Sequence, residues 1–514
     1  MLPEMIKACS RNLPHKAAFL QGKRSITWRE IDARSSRLAL VMKACGMGRG
    51  DVTAIISHER LEVYEHWFAS IKTGGIRIGI NWRYSATEMA HILKDCCPKV
   101  LLVDAACADK VPEIEAELKE IGCTVIGFGD GHGLSLDYET LLSDTSGDFD
   151  AVVYSGDETV LYTYTSGTTG VPKGVMISER AVATALTNTA LSLGVEKDDI
   201  FYRPAQSSWV VLVGHSSGLA NGFTTVIPDG VFDVSTFLSD IARLKVTRTV
   251  LVPTVLQRIL DEYRAHEYDI TSLRTMIYGA SPITPRLLRE TMETLNCEIA
   301  QLYGLTEASG GYVSYLRYSD HLRGLTDRPE LLSSAGQIGL HFEANIRDDN
   351  GNVLAPGEIG TLWLKGDSIM KGYLNMPDLT DAVLFPGGWL CTHDIGYIDD
   401  EGYLFLKDRK QSLIITGGVN VFATTVETVI AELAAVKEVA VLGVPDDEWG
   451  EIIVAAINLY DGVELSKEEV NIHCSNKLSR MECPKRIHFV DEIPKTMNGK
   501  IFKGKLKEFL INAK

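Results

Sequence analysis

The sequence predicts an α/β protein: a large N-terminal domain of helix-covered sheets with a small β-barrel-like sub-body, followed by a small mobile α+β C-terminal domain. Three observations carry that prediction. Short β-rich runs alternate with helical stretches from Ile26 to Phe385, the signature of parallel sheets covered by helices. Between His341 and Tyr373 the texture changes to short strands and tight turns. Finally, the polar run Lys407 to Ser412 interrupts two apolar segments while residues 412–514 are still to come, which is where a chain can hinge.

The β-rich runs are Val52–Ser57, Val100–Val103, Cys123–Phe128, Thr224–Ile227, Thr249–Val252 and Thr275–Tyr278. Farther on, Asp348-Asp349-Asn350-Gly351 and Ala355-Pro356-Gly357-Glu358 flank runs such as Thr361–Leu364 and predict hairpins. After Gly402 to Leu406 and the polar run comes Leu413 to Gly418. The domain division expected from this is 1–408, a hinge at 409–411, and 412–514.

With 514 residues, 45% hydrophobic and 23% charged, the chain can bury a sizeable core and is neither disordered nor fibrous. Its net charge of −17 removes the counterion-release term that drives nucleic-acid binding, so any polyanion site must be local. No apolar stretch reaches about 18 residues, and Glu4, Lys7, Arg11 and His15 stand where a signal peptide needs an apolar core. A cytoplasmic protein without membrane insertion is expected. The ten Cys, apart from adjacent Cys96 and Cys97, are scattered, and the twelve His show no ligand spacing. Neither a disulfide framework nor a tightly held structural metal is suggested.

Toward the C-terminus the charge reverses. Lys477, Arg480, Lys485, Arg486, Lys495, Lys500, Lys503, Lys505 and Lys507 face only Glu482, Asp491, Glu492 and Glu508. Such a reversal invites an anionic ligand, and a solvated helix face would read the same way.

The most informative stretch is Tyr164-Thr165-Ser166-Gly167-Thr168-Thr169-Gly170-Val171-Pro172-Lys173-Gly174. Its glycines permit tight turns with inward N–H groups, its hydroxyls add donors, and Lys173 adds a point charge, which together make a cradle for a polyphosphate. No Ser or Thr follows Lys173, so this is not the G-x-x-x-x-G-K-[ST] nucleotide loop. The run Gly127 to Gly133 lacks G-x-G-x-x-G spacing and reads as a polar loop, not as a dinucleotide site.

The run from Tyr164 to Gly174 resembles the phosphate loop of the adenylate-forming superfamily, which includes acyl- and aryl-CoA synthetases, nonribosomal adenylation domains and luciferases. Further elements follow in the family's order. Gln301 to Glu307 resembles Y-G-x-T-E, Thr392-His393-Asp394 resembles T-G-D, Asp408-Arg409 resembles the ribose-binding Arg segment, and Pro494 to Lys500 resembles the C-terminal catalytic-lysine loop. The similarity covers essentially the whole chain, from about Ile26 to Lys507, and is strongest with the acyl-CoA synthetases.

The resemblance implies an ATP-dependent carboxylic acid:CoA ligase that passes through an acyl-adenylate, with Mg²⁺ bound by Glu307 and coenzyme A as co-substrate. Attack of a weak oxygen nucleophile on a phosphate needs charge neutralisation and alignment. Accordingly, Thr165, Ser166, Gly167, Thr168, Thr169, Gly170 and Lys173 are expected around the phosphates, Tyr303 and Gly304 at adenine, and Asp394 and Arg409 at ribose. Thr306 is expected at the α-phosphate, and Lys500 at the acyl carboxylate and α-phosphate. Gln411 would be the hinge residue, and Gly417 and Gly418 would line a CoA channel.

The chain departs from the family in places. Gln411 replaces the usual Asp or Lys, His393 replaces Gly, and Ala423-Thr424-Thr425 replaces the usual segment after Asn420-Val421-Phe422. In the acyl pocket, Gln206 and Ser207 take the places of an aromatic residue and a gating His, with Trp209 nearby and Tyr278, Gly279 and Ala280 as the facing wall. That uncharged gate suggests an uncharged or moderately sized acyl group. An amino-acid-activating domain would carry a pocket Asp, whereas Asp233 falls in a helix-start segment. The runner-up is an acyl-AMP ligase that loads a carrier protein. A binding-only member is disfavoured by retention of Lys173 and Lys500, and a homodimer is compatible with the reading.

Overall fold

The computed structural model describes residues 1–166, 172–279, 283, 285–409, 412–446, 448–495 and 501–512. Among these the chain forms three sheets. The first has 14 strands. In its parallel half lie Ala17–Gln21, Thr224–Ile227, Ile200–Tyr202, Arg248–Leu251, Thr275–Gly279 and Glu298–Tyr303. The sheet continues antiparallel through Ser314–Leu316, Gly336–Ile338, Tyr403–Arg409, Trp389–Ile398, Gly360–Lys365 and Glu343–Arg347. The hairpins expected from the turn-rich segment are therefore the antiparallel half of this sheet. One of their turns is set by Asp348, whose carboxylate accepts from the amides of Asn350 and Asn352 (2.9 and 2.8 Å).

The second sheet runs in the order Gly372–Tyr373, Pro172–Ser178, Thr159–Ser166, Ile76–Ile80, Val52–Ile56, Val100–Asp104 and Thr124–Phe128. Val52–Ile56, Ile76–Ile80 and Val100–Asp104 are buried at every position, as parallel strands covered on both faces must be. The helix Leu61–Thr73 is buried along its whole length although it carries four charged residues or histidines. Its charges are paired: Glu62 with Arg24 (2.7 Å), Glu65 with Arg34 (2.6 Å), Lys72 with Asp32 (2.6 Å). Gly74, at φ 74°, ends it in the left-handed conformation that glycine adopts most readily. Helices Trp28–Ala44 and Ala86–Cys96 each begin in a capping box, Thr27 with Glu30 and Ser85 with Glu88.

The third sheet contains Val419–Phe422, Leu413–Thr416, Gly450–Leu459, Val436–Asp446 and Arg486–Phe489. Alternation along the long central pair splits its side chains between two apolar clusters. Val441, Ile453 and Ile457 pack with Val426 and Ile430, while Leu442, Ile452 and Val454 pack with Leu506 and Leu510. None of the described helices is long and apolar enough to cross a membrane.

Because the strands from Ala17–Gln21 to Glu298–Tyr303 are parallel, their C-terminal ends share one edge. Tyr202, Leu251, Gly279 and Tyr303 mark it. In an open α/β sheet that edge is where ligands bind.

Candidate active site

The glycine-rich run is the connection of an antiparallel hairpin. Thr165 pairs with Lys173 and Ser166 with Pro172 across Thr159–Ser166 and Pro172–Ser178, so a strand, not a helix, follows the loop. Gly167, Thr168, Thr169 and Gly170 lie outside the described residues, and of Ser166 only the backbone is described. On the open flank of Pro172–Ser178 lies Gly372–Tyr373, with Tyr373 opposite Val175.

Tyr373 joins two residues far apart in sequence. The Lys173 Nζ sits 5.8 Å from its ring centroid, within cation–π range, and its hydroxyl donates to Glu307 Oε1 at 2.9 Å. The Met370 amide also donates to the Glu307 carbonyl (2.8 Å). One phenol thus holds Lys173, expected at the phosphates, and Glu307, the carboxylate expected to meet a metal. Burial, and then the Glu307 charge, raises the Tyr373 pKa, so the hydroxyl keeps its proton and stays a donor. Sequence reasoning missed Tyr373. The available signal was Gly372 before it: at φ 139°, with a Cβ position 2.6 Å from Thr380 Cγ2, that site admits only glycine.

Glu307 belongs to the short turn Thr306–Ala308, directly after the strand Glu298–Tyr303. Ser309, at φ 60°, closes the turn and its hydroxyl donates to the Ser368 carbonyl (2.6 Å). Gly304 is tightly enclosed, because a Cβ there would lie 2.7 Å from the Gly311 carbonyl oxygen.

Tyr303, Asp394 and Arg409 converge. Asp394 and Arg409 are cross-strand neighbours on Trp389–Ile398 and Tyr403–Arg409. Arg409 Nε lies 2.9 Å from Asp394 Oδ1, and the Tyr303 hydroxyl donates to Asp394 Oδ2. The Asp394 charge raises the Arg409 pKa, and burial followed by Asp394 raises that of Tyr303. Arg409 also acts electrostatically on Glu307 and Tyr373, which places the two clusters beside each other. Asp394 itself is buried while the Arg409 side chain is 56% exposed, so the arginine covers the carboxylate from the solvent side.

His393 occupies φ 60°, the left-handed region. Between the pairs Trp363–Cys391 and Thr361–Ile395 the longer strand carries extra residues, and His393 is at the apex of that bulge. The Thr392 hydroxyl ties the bulge down by donating to the Leu362 carbonyl (2.9 Å) and accepting from the Asp394 amide (3.1 Å). Backbone conformation therefore explains why a glycine suits this position and how Asp394 is aimed.

Of the expected acyl-pocket residues, Ser207 is buried and engaged. Its amide and hydroxyl both donate to Glu59 Oε2 (2.8 and 2.9 Å), and its carbonyl accepts from Arg77 (2.9 Å). The Tyr64 hydroxyl donates to the other Glu59 oxygen, and His215 Nδ1 lies 2.8 Å from that hydroxyl and 3.7 Å from Glu59. Burial raises the Glu59 pKa, but His215, Tyr64 and Ser207 outweigh it and leave the carboxyl below its usual range. Burial holds His215 neutral against the pull of Glu59. Sequence reasoning missed Glu59 and His215, because Glu59 in Ser57-His58-Glu59-Arg60 and His215 before Ser216-Ser217 belong to no recognisable motif. Trp209 is half-buried just beyond Ser207. Tyr278 is buried in the cluster below the sheet with its hydroxyl 3.0 Å from His321 Nε2. Gly279 faces Leu302, whose carbonyl would be 2.7 Å from a Cβ. Ala280 lies outside the described residues.

In the C-terminal domain, Gly417 and Gly418 form a two-residue hairpin turn between paired Thr416 and Val419, with φ 56° and 79°, the glycine-demanding type I′ geometry. Trp449 and Met481 crowd Gly417, whereas a Cβ on Gly418 would meet nothing within 4 Å. Gln411 and Lys500 lie outside the described residues. On either side of the undescribed residues 496–500, Lys495 bridges to Ile501 and the Phe502 amide donates to the Pro494 carbonyl (2.7 Å).

As a cation site, Glu307 offers a hard carboxylate beside the Thr306 hydroxyl, the donor chemistry that Mg²⁺ takes. Tyr373 engages the Oε1 of this carboxylate.

Comparison with known proteins agrees with this geometry. The chain matches the AMP-binding enzyme family over residues 6–374 and the AMP-binding enzyme C-terminal domain over residues 425–500. It is 33% identical over 498 residues to a long-chain-fatty-acid–CoA ligase of Mycobacterium tuberculosis, covering 96% of this chain and 95% of the relative. A fatty acid–[acyl-carrier-protein] ligase of Streptomyces coeruleorubidus is 31% identical over 506 residues, covering 96% and 93%. The crystal structure of ATP-bound MatB from Rhodopseudomonas palustris superposes with a TM-score of 0.91 at 26% identity over 100% of both chains. With one family model matched over residues 6–374, the C-terminal model over 425–500, and a relative 33% identical across 96% of the chain, the chain belongs to the AMP-binding enzymes of the adenylate-forming superfamily.

Proposed function

We propose that this protein is an ATP-dependent carboxylic acid:CoA ligase. The observation that carries the reading is the bridge from Lys173 through Tyr373 to Glu307, set beside the Tyr303, Asp394 and Arg409 cluster. It gathers cationic groups, a metal-binding carboxylate and a carboxylate acceptor for sugar hydroxyls at one sheet edge.

In the first half-reaction an oxygen of the acid attacks the α-phosphorus of ATP, and the bond to the bridging oxygen of pyrophosphate breaks. Asp394 accepts from the ribose hydroxyls with Arg409 beside it, and the Tyr303 ring packs on adenine over Gly304. Thr165, Ser166, Gly167, Thr168, Thr169, Gly170 and Lys173 hold the phosphates, Thr306 contacts the α-phosphate, and Lys500 reaches the acyl carboxylate. Glu307 would hold magnesium, which would supply neutralisation of phosphate charge. In the second half-reaction the CoA thiol attacks the acyl carbon and AMP leaves. Domain 412–514 turns about residues 409–411, with Gln411 as hinge, and brings the Gly417–Gly418 turn to the pantetheine path. Ser207, Trp209, Tyr278, Gly279 and Ala280 border the acyl group. The absence of a membrane-crossing helix among the described residues is compatible with a cytoplasmic location.

The relative that loads an acyl-carrier protein favours one second reading, in which a phosphopantetheinylated carrier is the acceptor. Incubation with acid, MgATP and either CoA or loaded carrier separates the two. Thioester formed on CoA supports the ligase, and thioester formed only on the carrier supports the alternative. Lys500→Ala is expected to abolish acid-dependent pyrophosphate exchange while sparing thioester formation from supplied acyl-adenylate. Loss of neither half-reaction would refute the lysine assignment.

A further inference from the structure

Three basic side chains are buried among the described residues: Lys72, Arg77 and Arg203. Lys72 pairs with Asp32 at 2.6 Å, and Arg77 lies in the field of Glu59. Arg203 is different. It is 2% exposed, and its guanidinium meets only neutral groups: the Tyr312 hydroxyl at 3.4 Å, Ser217 Oγ at 3.1 Å and the Phe201 ring, whose centroid is 3.9 Å from Cζ. Among the described residues its Nε has no acceptor, and neither has that of Arg77, whose guanidinium donates to the Ser207 carbonyl. Glu59, which like Arg203 acts on His215, is already bonded to Ser207 and Tyr64. Glu59 acts on Arg77 and faces His215, and among the described residues the hydrogen-bond partners of the Arg203 guanidinium are the Tyr312 and Ser217 hydroxyls, so Arg203 is a buried cation with no carboxylate bonded to it. A buried charge needs a counter-charge.

Arg203 also stands at the edge of the parallel strands where ligands bind, directly after Ile200–Tyr202. Tyr312, which its Nη1 faces, adjoins Gly311, and the Gly311 carbonyl packs against Gly304, two residues before Thr306. On its other side Nη1 faces Gly214, where a Cβ would come within 3.0 Å. Tyr312, Gly311 and Gly304 therefore form the path of contacts from Arg203 to the segment that ends at Thr306. Nearby, Gln206 Oε1, Ser208 Oγ and His215 Nε2 are buried without partners, so the segment that borders the acyl group holds unused polar atoms.

We propose that the acid activated by this protein carries a second anionic group at the end remote from the reacting carboxylate, and that Arg203 binds it. The inference rests on the ligase reading and narrows its substrate class to dicarboxylic acids or acids ending in an equivalent anion. It also revises the expectation of an uncharged acyl group: the gate at Gln206 and Ser207 is neutral, but the charge stands behind it. A planar guanidinium suits a carboxylate because it can donate two parallel bonds.

The test uses the full-length protein and matched pairs of acids, aliphatic and aromatic, each monoacid set against an acid of the same length ending in a second carboxylate. Acid-dependent pyrophosphate release with MgATP gives kcat and KM for each. The wild type is expected to favour the diacid by at least about tenfold in kcat/KM in one or more pairs. Arg203→Met should reverse that preference through KM for the acid while KM for ATP stays within about twofold, and Arg203→Lys should retain part of it. Preference for the monoacid in every pair, or a ratio unchanged by Arg203→Met, would overturn the assignment and leave the ligase reading intact. If Arg203→Met does not fold, the wild-type ratio decides. Pyrophosphate release with no acid at all would overturn the ligase reading itself, and the inference with it.

Discussion

Tyr373→Phe removes one hydroxyl and nothing else, and the structure sets its cost. The lost contact is a hydrogen bond of 2.9 Å from a buried phenol to the Glu307 carboxylate. Bonds to charged groups contribute about 1.5–3 kcal/mol; because Glu307 is only half-buried, about 2 kcal/mol is appropriate. If that energy orients Glu307 toward the cation, its loss corresponds to about a thirtyfold drop in kcat/KM for MgATP, at 1.36 kcal/mol per tenfold. The assay is acid-dependent pyrophosphate release across a magnesium titration. Tyr373→Phe should shift the magnesium requirement upward, because the ring under Lys173 remains, whereas Tyr373→Leu should also weaken the response to ATP. An unaltered magnesium dependence in a folded Tyr373→Phe protein would refute the argument that this phenol positions Glu307.

Two further outcomes follow from the geometry. His393→Gly should raise the denaturant midpoint by an amount equivalent to at most about 1 kcal/mol, since it relieves a left-handed residue at φ 60° while adding unfolded-state entropy; a lower midpoint would show that the imidazole contacts outweigh the backbone. His66 is fully buried with Nε2 2.8 Å from Thr53 Oγ1, and burial, aided by the Arg77 charge, holds its pKa well below the usual value. The unfolded chain therefore binds a proton below about pH 6.5 that the folded chain does not, so stability falls with pH there. Between pH 7 and 5.5 this amounts to about 1.3 kcal/mol, and His66→Asn should lose that much less over the same interval in chemical denaturation; equal losses would contradict it.

How much was legible in the sequence differs by element. The β-rich runs at Val52, Val100, Thr224 and Thr275 emerge as strands because a buried parallel strand needs a nearly continuous apolar run, a local property. The turn-rich stretch after His341 was legible as hairpins, but its union with the parallel strands in one sheet was not, since the pairing of Ser314–Leu316 with Glu298–Tyr303 depends on partners brought together only by folding. Thr27, Ser85 and Asp348 announced their caps and turns locally. Burial of the whole helix Leu61–Thr73, with its charges paired to Arg24, Arg34 and Asp32, could not be read from a polar-looking segment.

By itself the sequence determined which chemical groups are present and in what order: the glycines and hydroxyls before Lys173, Glu307 after Thr306, and Asp394 followed by Arg409. These follow from local composition and spacing. Tertiary structure alone decided which of them act on one another. Tyr373 couples Lys173 to Glu307, Glu59 restrains Ser207, and Arg203 is left without a counter-charge, because electrostatic and hydrogen-bond energies depend on distance through space and on the exclusion of water, neither of which is encoded by separation along the chain.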